Sequence, residues 1–250
     1  MSKPRTPRQR LDQLLTHRGL AESIDKARRI IMTGKVLVND TPVDKPGTQV
    51  AQSSALRIKG KQHRWVSRGG LKLVHALNHW QINPTGQNCL DIGASTGGFT
   101  DVLLQHGADR VFAVDVGYGI LDWRLQQDPR VVNLERTNVR NLTKDQLDHT
   151  PIQFFTIDVS FIGLSRVLPF TLPLIEPGGT GIVLLKPQFE LPKKLIPEGG
   201  IVRDPSHHEL AFEKIQQLEK ESTFTIIDRV KSSITGTQGN IEELLHIRVD

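Results

Sequence analysis

The chain has 250 residues and a formal net charge of +5. Its single cysteine excludes an intramolecular disulfide, and no uninterrupted apolar stretch approaches the roughly 18 residues that a membrane-spanning helix needs. The first residues are charged and lack the apolar core of an export signal. We therefore expect a cytoplasmic protein in a reducing compartment.

Positive charge is concentrated at one end of the chain. Residues 1–70 contain 15 Lys and Arg against 5 Asp and Glu, whereas residues 71–250 contain 17 against 22. Basic side chains gain affinity for a polyanion by releasing the counterions of its phosphates. The asymmetry is consistent with a polyanion-binding domain beside a catalytic domain, and equally with a basic surface that is only solvated.

The first seventy residues predict two helices and a small sheet. Apolar residues recur at helical spacing from Leu11 and the pattern stops at Gly19, a good residue for a helix C-terminus. Ser23 can cap a second amphipathic helix that ends at Gly34. The segments that follow predict a strand, a turn and a second strand, at residues 35–39, 40–42 and 55–58.

Several residues here share the order and spacing of a known motif: RLDQLLTHRG at residues 10–19, Ser23, Ala27, Ile31, Gly34 and VLVN at 36–39. They resemble the alpha-L RNA-binding motif of ribosomal proteins and pseudouridine synthases, whose two helices present basic residues to folded RNA. The resemblance implies phosphate contacts by a set of basic side chains, namely Arg8, Arg10, Arg18, Arg28, Arg29 and Lys35. Arg68, in the linker at residues 60–68, is a further candidate for RNA binding.

From residue 88 onward, apolar strand patterns alternate with a helical one. The predicted strands are at residues 88–92, 110–116, 154–159, 181–185, 224–231 and 243–248. Helices are predicted at residues 98–105 and from Pro205, where Ser206 and Glu209 fit a capping box. This alternation predicts a mostly parallel α/β sheet that binds ligands at the carboxyl edge of its strands.

A glycine-rich loop follows the first of these strands. It has the sequence DIGASTGGF at residues 91–99, where glycines permit a sharp turn and close approach of a nucleotide-like ligand. Ser95 occupies the second glycine position of the dinucleotide fingerprint, so a ligand without phosphates fits better. Asp115 ends the next strand, where an acidic side chain can accept hydrogen bonds from both ribose hydroxyls of a nucleoside. A structural loop with a capping aspartate explains either feature alone but less readily both.

The loop and Asp115 together resemble the S-adenosylmethionine site of class I methyltransferases. That resemblance implies S-adenosylmethionine as the cofactor and Asn138 as a residue near its adenine, although an Asn in a loop is as often only a turn residue. The predicted cofactor-binding residues are Asp91, Gly93, Ala94, Ser95, Gly97, Phe99, Asp115 and Asn138.

Four charged residues are candidates for the chemistry. Lys186 closes a predicted strand at the ligand-binding edge, and desolvation with a second nearby cation, for which Lys72 is the candidate, favours a neutral amine that can act as a base. Asp158 follows another core strand and Glu242 precedes the last one. Each has an ordinary structural explanation when taken alone.

Four strings in the order SRGGLK (67–72), DVSFI (158–162), KPQFE (186–190) and GNIE (239–242) resemble the TlyA (hemolysin A) group of the FtsJ-like ribose methyltransferases. The resemblance implies a catalytic tetrad of Lys72, Asp158, Lys186 and Glu242, with Lys186 as the base. It also implies ribosomal RNA or a ribosomal subunit as the partner, a cytidine ribose as the acceptor, and neither a metal nor a membrane. Asp158-Val-Ser-Phe161 lacks the two prolines typical of exocyclic-amine methyltransferases, which disfavours methylation of a base.

The predicted architecture is therefore α/β: a class I, Rossmann-like methyltransferase domain with a mostly parallel seven-stranded sheet at residues 64–250, preceded by a small α+β RNA-binding domain at residues 1–63. Two other functions stay open at this point. One is a hemolysin or membrane-active protein, although no apolar or strongly amphipathic membrane element is evident. The other is a noncatalytic RNA-binding factor in ribosome assembly.

Overall fold

The computed structural model describes residues 7–58, 64–236 and 239–250. The chain divides into two compact units, residues 1–62 and 63–250. Two features predicted from the sequence lie wholly or partly outside the described residues: the domain boundary after residue 63 and the linker at residues 60–68.

The N-terminal unit packs two short helices against short strands. Its elements are β1 (Arg8–Arg10), α1 (Leu11–His17), α2 (Ile24–Met32), β2 (Val36–Val38), β3 (Thr41–Val43), β4 (Gln49–Ala51) and β5 (Leu56–Ile58). Strand β1 pairs with β4, and β2 lies between β3 and β5. The predicted apolar stripes form the core, in which Leu11, Leu15, Ala27 and Ile31 are fully buried. Ser23 caps α2, as predicted, by accepting a hydrogen bond from the Lys26 N–H.

One turn in this unit is displaced from its predicted position. The sequence predicts a turn at residues 40–42, but Thr41–Val43 is strand β3, antiparallel to β2. The reversal occurs at Asn39 and Asp40, which both have positive φ, as the tight turn of a hairpin requires. Pro42 is tolerated because β3 is an edge strand, where a missing N–H need not break a ladder.

The C-terminal unit alternates strands and helices. Its helices are α3 (Gly70–Trp80), α4 (Gly98–Gln105), α5 (Trp123–Gln126), α6 (Leu168–Thr171), α7 (Pro187–Glu190) and α8 (Pro205–Lys220). Its strands are β6 (Asn88–Ile92), β7 (Arg110–Val114), β8 (Val131–Leu134), β9 (Phe154–Ile157), β10 (Thr180–Leu185), β11 (Phe224–Lys231) and β12 (Glu243–Val249).

Within the described residues, these seven strands form one sheet in the order β11-β12-β10-β9-β6-β7-β8. The two strand pairs that involve β12, with β10 and with β11, are antiparallel, and the other strand pairs of this sheet are parallel. The predicted mostly parallel seven-stranded sheet is therefore confirmed. Alternate residues of the central strands point to opposite faces. Leu90 and Phe155 enter one apolar core, whereas Cys89 and Phe154 enter the other, and all four are fully buried.

Helix α8 begins at Pro205, the residue predicted, but its N-cap differs from the predicted capping box. The N-cap is Asp204, whose carboxylate accepts a hydrogen bond from the Ser206 N–H, so Ser206 does not cap the helix. Pro205 occupies the first helical position, where a residue without an N–H costs nothing and φ is already suitable. The helix therefore begins one residue before the predicted capping box.

Candidate active site

The sheet brings three of the four predicted catalytic residues to one edge. Asp158 directly follows β9 and Lys186 directly follows β10, and these adjacent strands are parallel, so both side chains leave the same edge. Glu242 directly precedes β12, which runs antiparallel to β10 with Glu243 opposite Leu185. An antiparallel strand starts where its parallel neighbours end, which places Glu242 beside the other two.

The fourth residue, Lys72, comes from the first turn of α3 and completes a chain of alternating charges. Lys186 Nζ lies 2.6 Å from Asp158 Oδ1, and Lys72 Nζ lies 3.5 Å from Asp158 Oδ2 and 2.5 Å from Glu242 Oε2. Lys72, Lys186 and Glu242 are at most 8% exposed. Buried charges are costly unless paired, and here two cations face two carboxylates, so the cluster is electrically balanced.

Ser160 adds a contact that the sequence did not single out. The Lys186 ammonium donates to Ser160 Oγ at 3.3 Å, while Asp158 lies on its other side. Lys186 is thus held by two neighbours from the loop after β9. In its neutral form, an amine fixed in this way can accept a proton from a hydroxyl group that lies within hydrogen-bonding distance of it.

The charged cluster lines a cavity of ≈ 470 Å³ together with the glycine-rich loop. Gly93, Ala94, Ser95 and Phe99 of the predicted cofactor set contribute to its wall. Gly93 has φ +80°, and a Cβ there would lie 2.7 Å from the Asp158 carbonyl oxygen. Only glycine allows the loop to approach the catalytic strand end so closely.

The other four residues of the predicted cofactor set, Asp91, Gly97, Asp115 and Asn138, do not line this cavity, and the first two of them lie beneath the loop. Asp91 is fully buried beneath the loop, where Thr100 and Thr156 each donate a hydroxyl hydrogen bond to it, at 2.6 and 2.8 Å. Burial raises the pKa of Asp91 to about 6, against the lowering effect of these hydrogen bonds. Gly97 has φ +91° and packs so tightly that a Cβ would overlap Leu125 Cδ1. Both residues therefore shape the loop from below.

Asp115 and Asn138 lie beyond the loop, after the ends of β7 and β8. The Asp115 carboxylate accepts hydrogen bonds from the N–H groups of Ser95 at 2.8 Å and Gly117 at 2.7 Å, which fix its orientation. Asn138 is exposed and its side-chain oxygen accepts from the Arg140 N–H. The Thr137 N–H donates to the Asp115 carbonyl at 2.9 Å, so the two segments adjoin.

The predicted RNA-binding residues fall into groups with different surroundings. Arg10 and Arg28 both form ion pairs with the fully buried Asp12, at 2.6 and 3.2 Å, while about half of each arginine side chain stays exposed. Arg8 donates to the Gln49 carbonyl and Arg18 to the Ser54 carbonyl, both at 2.7 Å. Exposed side chains complete the set, namely Arg29, Lys35 and, in the C-terminal unit at the cavity, Arg68.

Two aromatic residues at the cavity were not among the predicted site residues. Phe161 is 92% exposed with φ +66°, and its ring centroid lies 5.5 Å from that of Phe189. A large apolar side chain that is both exposed and held in the left-handed region is costly, and such features cluster at functional sites. The sequence could have indicated both aromatic residues, because they belong to the same two sequence strings as Asp158 and Lys186.

Among the described residues, no helix is long and apolar enough to cross a membrane. The same residues contain no group of three or more His, Cys, Asp or Glu side chains arranged to hold a metal ion.

Known proteins are similar to this chain in sequence and in fold. Residues 65–249 match the model of the FtsJ-like methyltransferases, and residues 9–54 match that of the S4 domain. The chain is 42% identical to the 16S/23S rRNA (cytidine-2′-O)-methyltransferase TlyA of Mycobacterium tuberculosis, over 96% of this chain and 90% of the relative. It is 45% identical to a candidate rRNA methyltransferase, YqxC of Bacillus subtilis, over 96% of this chain and 85% of the relative. A solved structure named as a candidate hemolysin, from Streptococcus thermophilus, is 40% identical, with a TM-score of 0.76 over 98% of this chain and 90% of that one.

Proposed function

Because the chain belongs to the FtsJ-like methyltransferase family, we propose that it is an S-adenosylmethionine-dependent methyltransferase that modifies a ribose 2′-hydroxyl of ribosomal RNA. The observation that supports this most is the balanced cluster of Lys72, Asp158, Lys186 and Glu242 on the wall of the glycine-loop cavity. A cytidine ribose is the proposed acceptor, since the relative from M. tuberculosis bears that activity in its name.

The residues around the cavity suit the proposed cofactor. Gly93 lets the loop pack against the backbone of Asp158, and Ala94 and Ser95 lie on the wall, where an amino-acid group can bind. The orientation of Asp115, fixed by two backbone N–H groups, suits it to hold a pair of ribose hydroxyls, with Asn138 nearby for the adenine. When bound, the cofactor supplies a methyl group that its sulfonium already activates.

The chain's own task is then to orient the acceptor and remove its proton. We assign the proton transfer to Lys186, whose neutral amine would take the proton of the acceptor ribose hydroxyl. Asp158 and Ser160 hold the amine in place, at 2.6 and 3.3 Å. Lys72 and Glu242 orient Asp158 and the acceptor hydroxyl. Alignment for in-line attack accounts for much of the rate that such a site can supply.

Residues 1–63 are proposed to dock the RNA and residues 64–250 to carry out methyl transfer. The match of residues 9–54 to the S4 domain supports the first assignment, together with the arginines that Asp12 orders. Phosphate contacts of this kind position RNA without reading its sequence.

The test is to incubate the pure protein with cofactor labelled in its methyl group and either ribosomal subunits or naked ribosomal RNA, and to map the modified nucleotide. We expect label on a ribose 2′-oxygen. Label found only on protein or on small molecules would overturn the proposal.

The hemolysin name of one similar structure motivates a parallel assay of dye release from liposomes. We expect no release at protein concentrations that fully methylate the RNA. Release without methylation would instead favour the membrane-active function. A noncatalytic ribosome-assembly factor would bind RNA but transfer no label.

A further inference from the structure

A buried carboxylate close to the proposed base is not used in the chemistry assigned above. Glu190, the last residue of α7, is 2% exposed. Its Oε1 lies 3.0 Å from Lys214 Nζ of α8 and also accepts a hydrogen bond from the Ser165 hydroxyl. Its Oε2 accepts from the Ser165 N–H at 3.4 Å. One side chain therefore joins α7, α8 and the short helical turn Leu164–Arg166.

The first of these segments leads directly to Lys186. Helix α7 begins at the residue after Lys186, and the N–H groups of Phe189 and Glu190 donate to the Lys186 carbonyl at 2.9 and 3.2 Å. Glu190 is thus separated from the proposed base by a single hydrogen-bonded turn. A displacement of Glu190 moves the backbone from which the amine extends.

The second segment leads back to Asp158. The loop from Asp158 to Ser165 packs directly on α7, because a Cβ at Gly163 would lie 2.7 Å from Glu190 Oε2 and 3.0 Å from the Phe189 carbonyl. Glycine at this position allows the two segments to touch, and Ser165 then binds the carboxylate. Glu190 holds together the two segments that begin at Asp158 and Lys186.

We propose that Glu190 is a positioning residue, which sets the 2.6 Å separation between the Lys186 amine and the Asp158 carboxylate by joining the loop after β9 to α7. This inference rests on the proposed function, in which Lys186 removes the proton. It adds Glu190, Ser165 and Lys214 to the residues on which the rate depends, although none of them lines the cavity.

The chemistry of the side chain explains why a carboxylate is present. Its two oxygens accept simultaneously from a hydroxyl, a backbone N–H and an ammonium group. A glutamine has one acceptor oxygen, and its NH2 group would face either Ser165 or Lys214, both of which donate. The isosteric Glu190→Gln variant therefore loosens this junction without changing its volume.

The experiment measures methyl transfer by Glu190→Gln and by Ser165→Ala, with Glu213→Gln as the matched control, an exposed glutamate next to Lys214 on α8. We expect kcat per folded molecule to fall about 10- to 100-fold for Glu190→Gln, since small displacements in a reacting pair cost this much. The KM for RNA and the cofactor affinity should stay within about twofold of the wild type. Ser165→Ala should show a smaller loss in the same direction, and Glu213→Gln none.

The separation of kcat from KM provides a readout that a merely structural role does not move. A positioning role lowers kcat per folded molecule while the KM for RNA and the cofactor affinity stay unchanged. If Glu190→Gln is unstable, Lys214→Met tests the junction from α8. It removes both the ion pair with the Glu190 carboxylate and the hydrogen bond to the Glu190 carbonyl, and it leaves the carboxylate in place.

Three outcomes decide the matter. Losses of kcat per folded molecule in the Glu190 and Ser165 variants, with the KM for RNA and the cofactor affinity within about twofold of the wild type, support the positioning role. Wild-type kcat in both variants, or a loss of activity that only follows the loss of folded protein, overturns it while leaving the proposed function intact. A wild-type protein that transfers no methyl group to RNA overturns the proposed function itself.

Discussion

Asp158 is the residue on which the candidate site depends, because it lies between two ammonium groups. It contacts Lys186 at 2.6 Å and Lys72 at 3.5 Å, and Lys72 in turn contacts Glu242 at 2.5 Å. Each cation is compensated by a carboxylate, so removal of one residue leaves a neighbouring charge unbalanced in a largely buried setting. Substitutions within the tetrad are therefore expected to affect stability as well as rate.

Substitution of the proposed base gives the first prediction at this scale. Lys186→Met should lower kcat by about 10²- to 10⁴-fold, the usual contribution of a positioned acid or base, while RNA binding is retained. The measurement is single-turnover methyl transfer alongside a filter-binding assay. The exposed Lys194→Met serves as the control. A Lys186→Met protein that methylates at the wild-type rate would contradict the assignment.

The buried carboxyl of Asp91 leads to a second prediction. Its pKa is raised to about 6 from an ordinary value of 3.8, mainly by burial. The stability that it contributes is fully present below pH 3.8 and is lost as the pH rises through about 6. For a pKa shift of this size, the loss of stability amounts to about 3 kcal/mol. The Asp91→Asn variant has no ionisable group at this position and does not undergo this loss.

Urea unfolding of the wild type and Asp91→Asn at several pH values from mildly acidic to neutral measures this effect. As the pH rises through this range, the unfolding free energy of the wild type should fall relative to that of Asp91→Asn. A difference that does not depend on pH would show that Asp91 titrates normally.

Among the elements, those with strong apolar periodicity were predicted well from the sequence and those fixed by neighbours were not. Helices α1 and α2 and the central strands β6, β9 and β10 lie where their apolar patterns predict them. No local pattern marks β1, β4 and β8, which are three or four residues long and form through pairing with partners distant in the chain. The displaced turn at Asn39 and Asp40 could have been recognised from its residue types, because Asn and Asp tolerate the positive φ that such a turn requires.

The same limit applies to the site. Strand ends predicted that Asp158 and Lys186 share an edge, since each follows a strand of a mostly parallel sheet. Glu242 joins them because β12 runs antiparallel to β10, a direction that was not predicted. The surroundings of Asp91 and the contacts of Glu190 depend on side chains from other segments, Thr156 and Lys214 among them. No spacing within either segment encodes these contacts.

A prediction at the scale of elements concerns the junction of α1 and α2. Asp12 on α1 pairs with Arg28 on α2 and with Arg10 before α1, and the Arg10 guanidinium lowers the pKa of Asp12 to about 2. Asp12→Asn should destabilise the N-terminal unit by about 1.5–3 kcal/mol, the usual range for hydrogen bonds to a charged group. It should also weaken RNA binding, because two guanidinium groups lose their fixed positions.

Denaturant unfolding followed by hydrogen exchange of α1 and α2 measures the stability, and filter binding measures the affinity. Asp25→Asn is the control, since Asp25 is exposed and contacts only the outer side of Arg28 at 3.4 Å. Unchanged exchange and affinity in Asp12→Asn would contradict the prediction.

For the whole molecule, the uneven distribution of charge predicts how salt affects activity. Arg29→Gln combined with Lys35→Gln should raise the KM for RNA and leave kcat at saturating RNA unchanged. The slope of log affinity against log salt concentration should fall by about 1 for each phosphate that the variant no longer neutralises.

The control for this pair is Lys220→Gln with Arg248→Gln, which removes the same charge from the C-terminal unit. Arg248 lies opposite Thr180, at the end of β10 that is farther from the charged cluster. An equal effect of both pairs would mean that net charge, rather than the N-terminal unit, controls binding.

The antiparallel strand β12 has a consequence for the time at which the charged cluster is completed. Lys72, Asp158 and Lys186 are all synthesised well before Glu242, and Glu242 reaches the cluster only when β12 has paired with β10. Until then the two lysines face the Asp158 carboxylate without the second carboxylate. Assembly of the complete cluster therefore waits for the synthesis of β12, the last strand of the sheet.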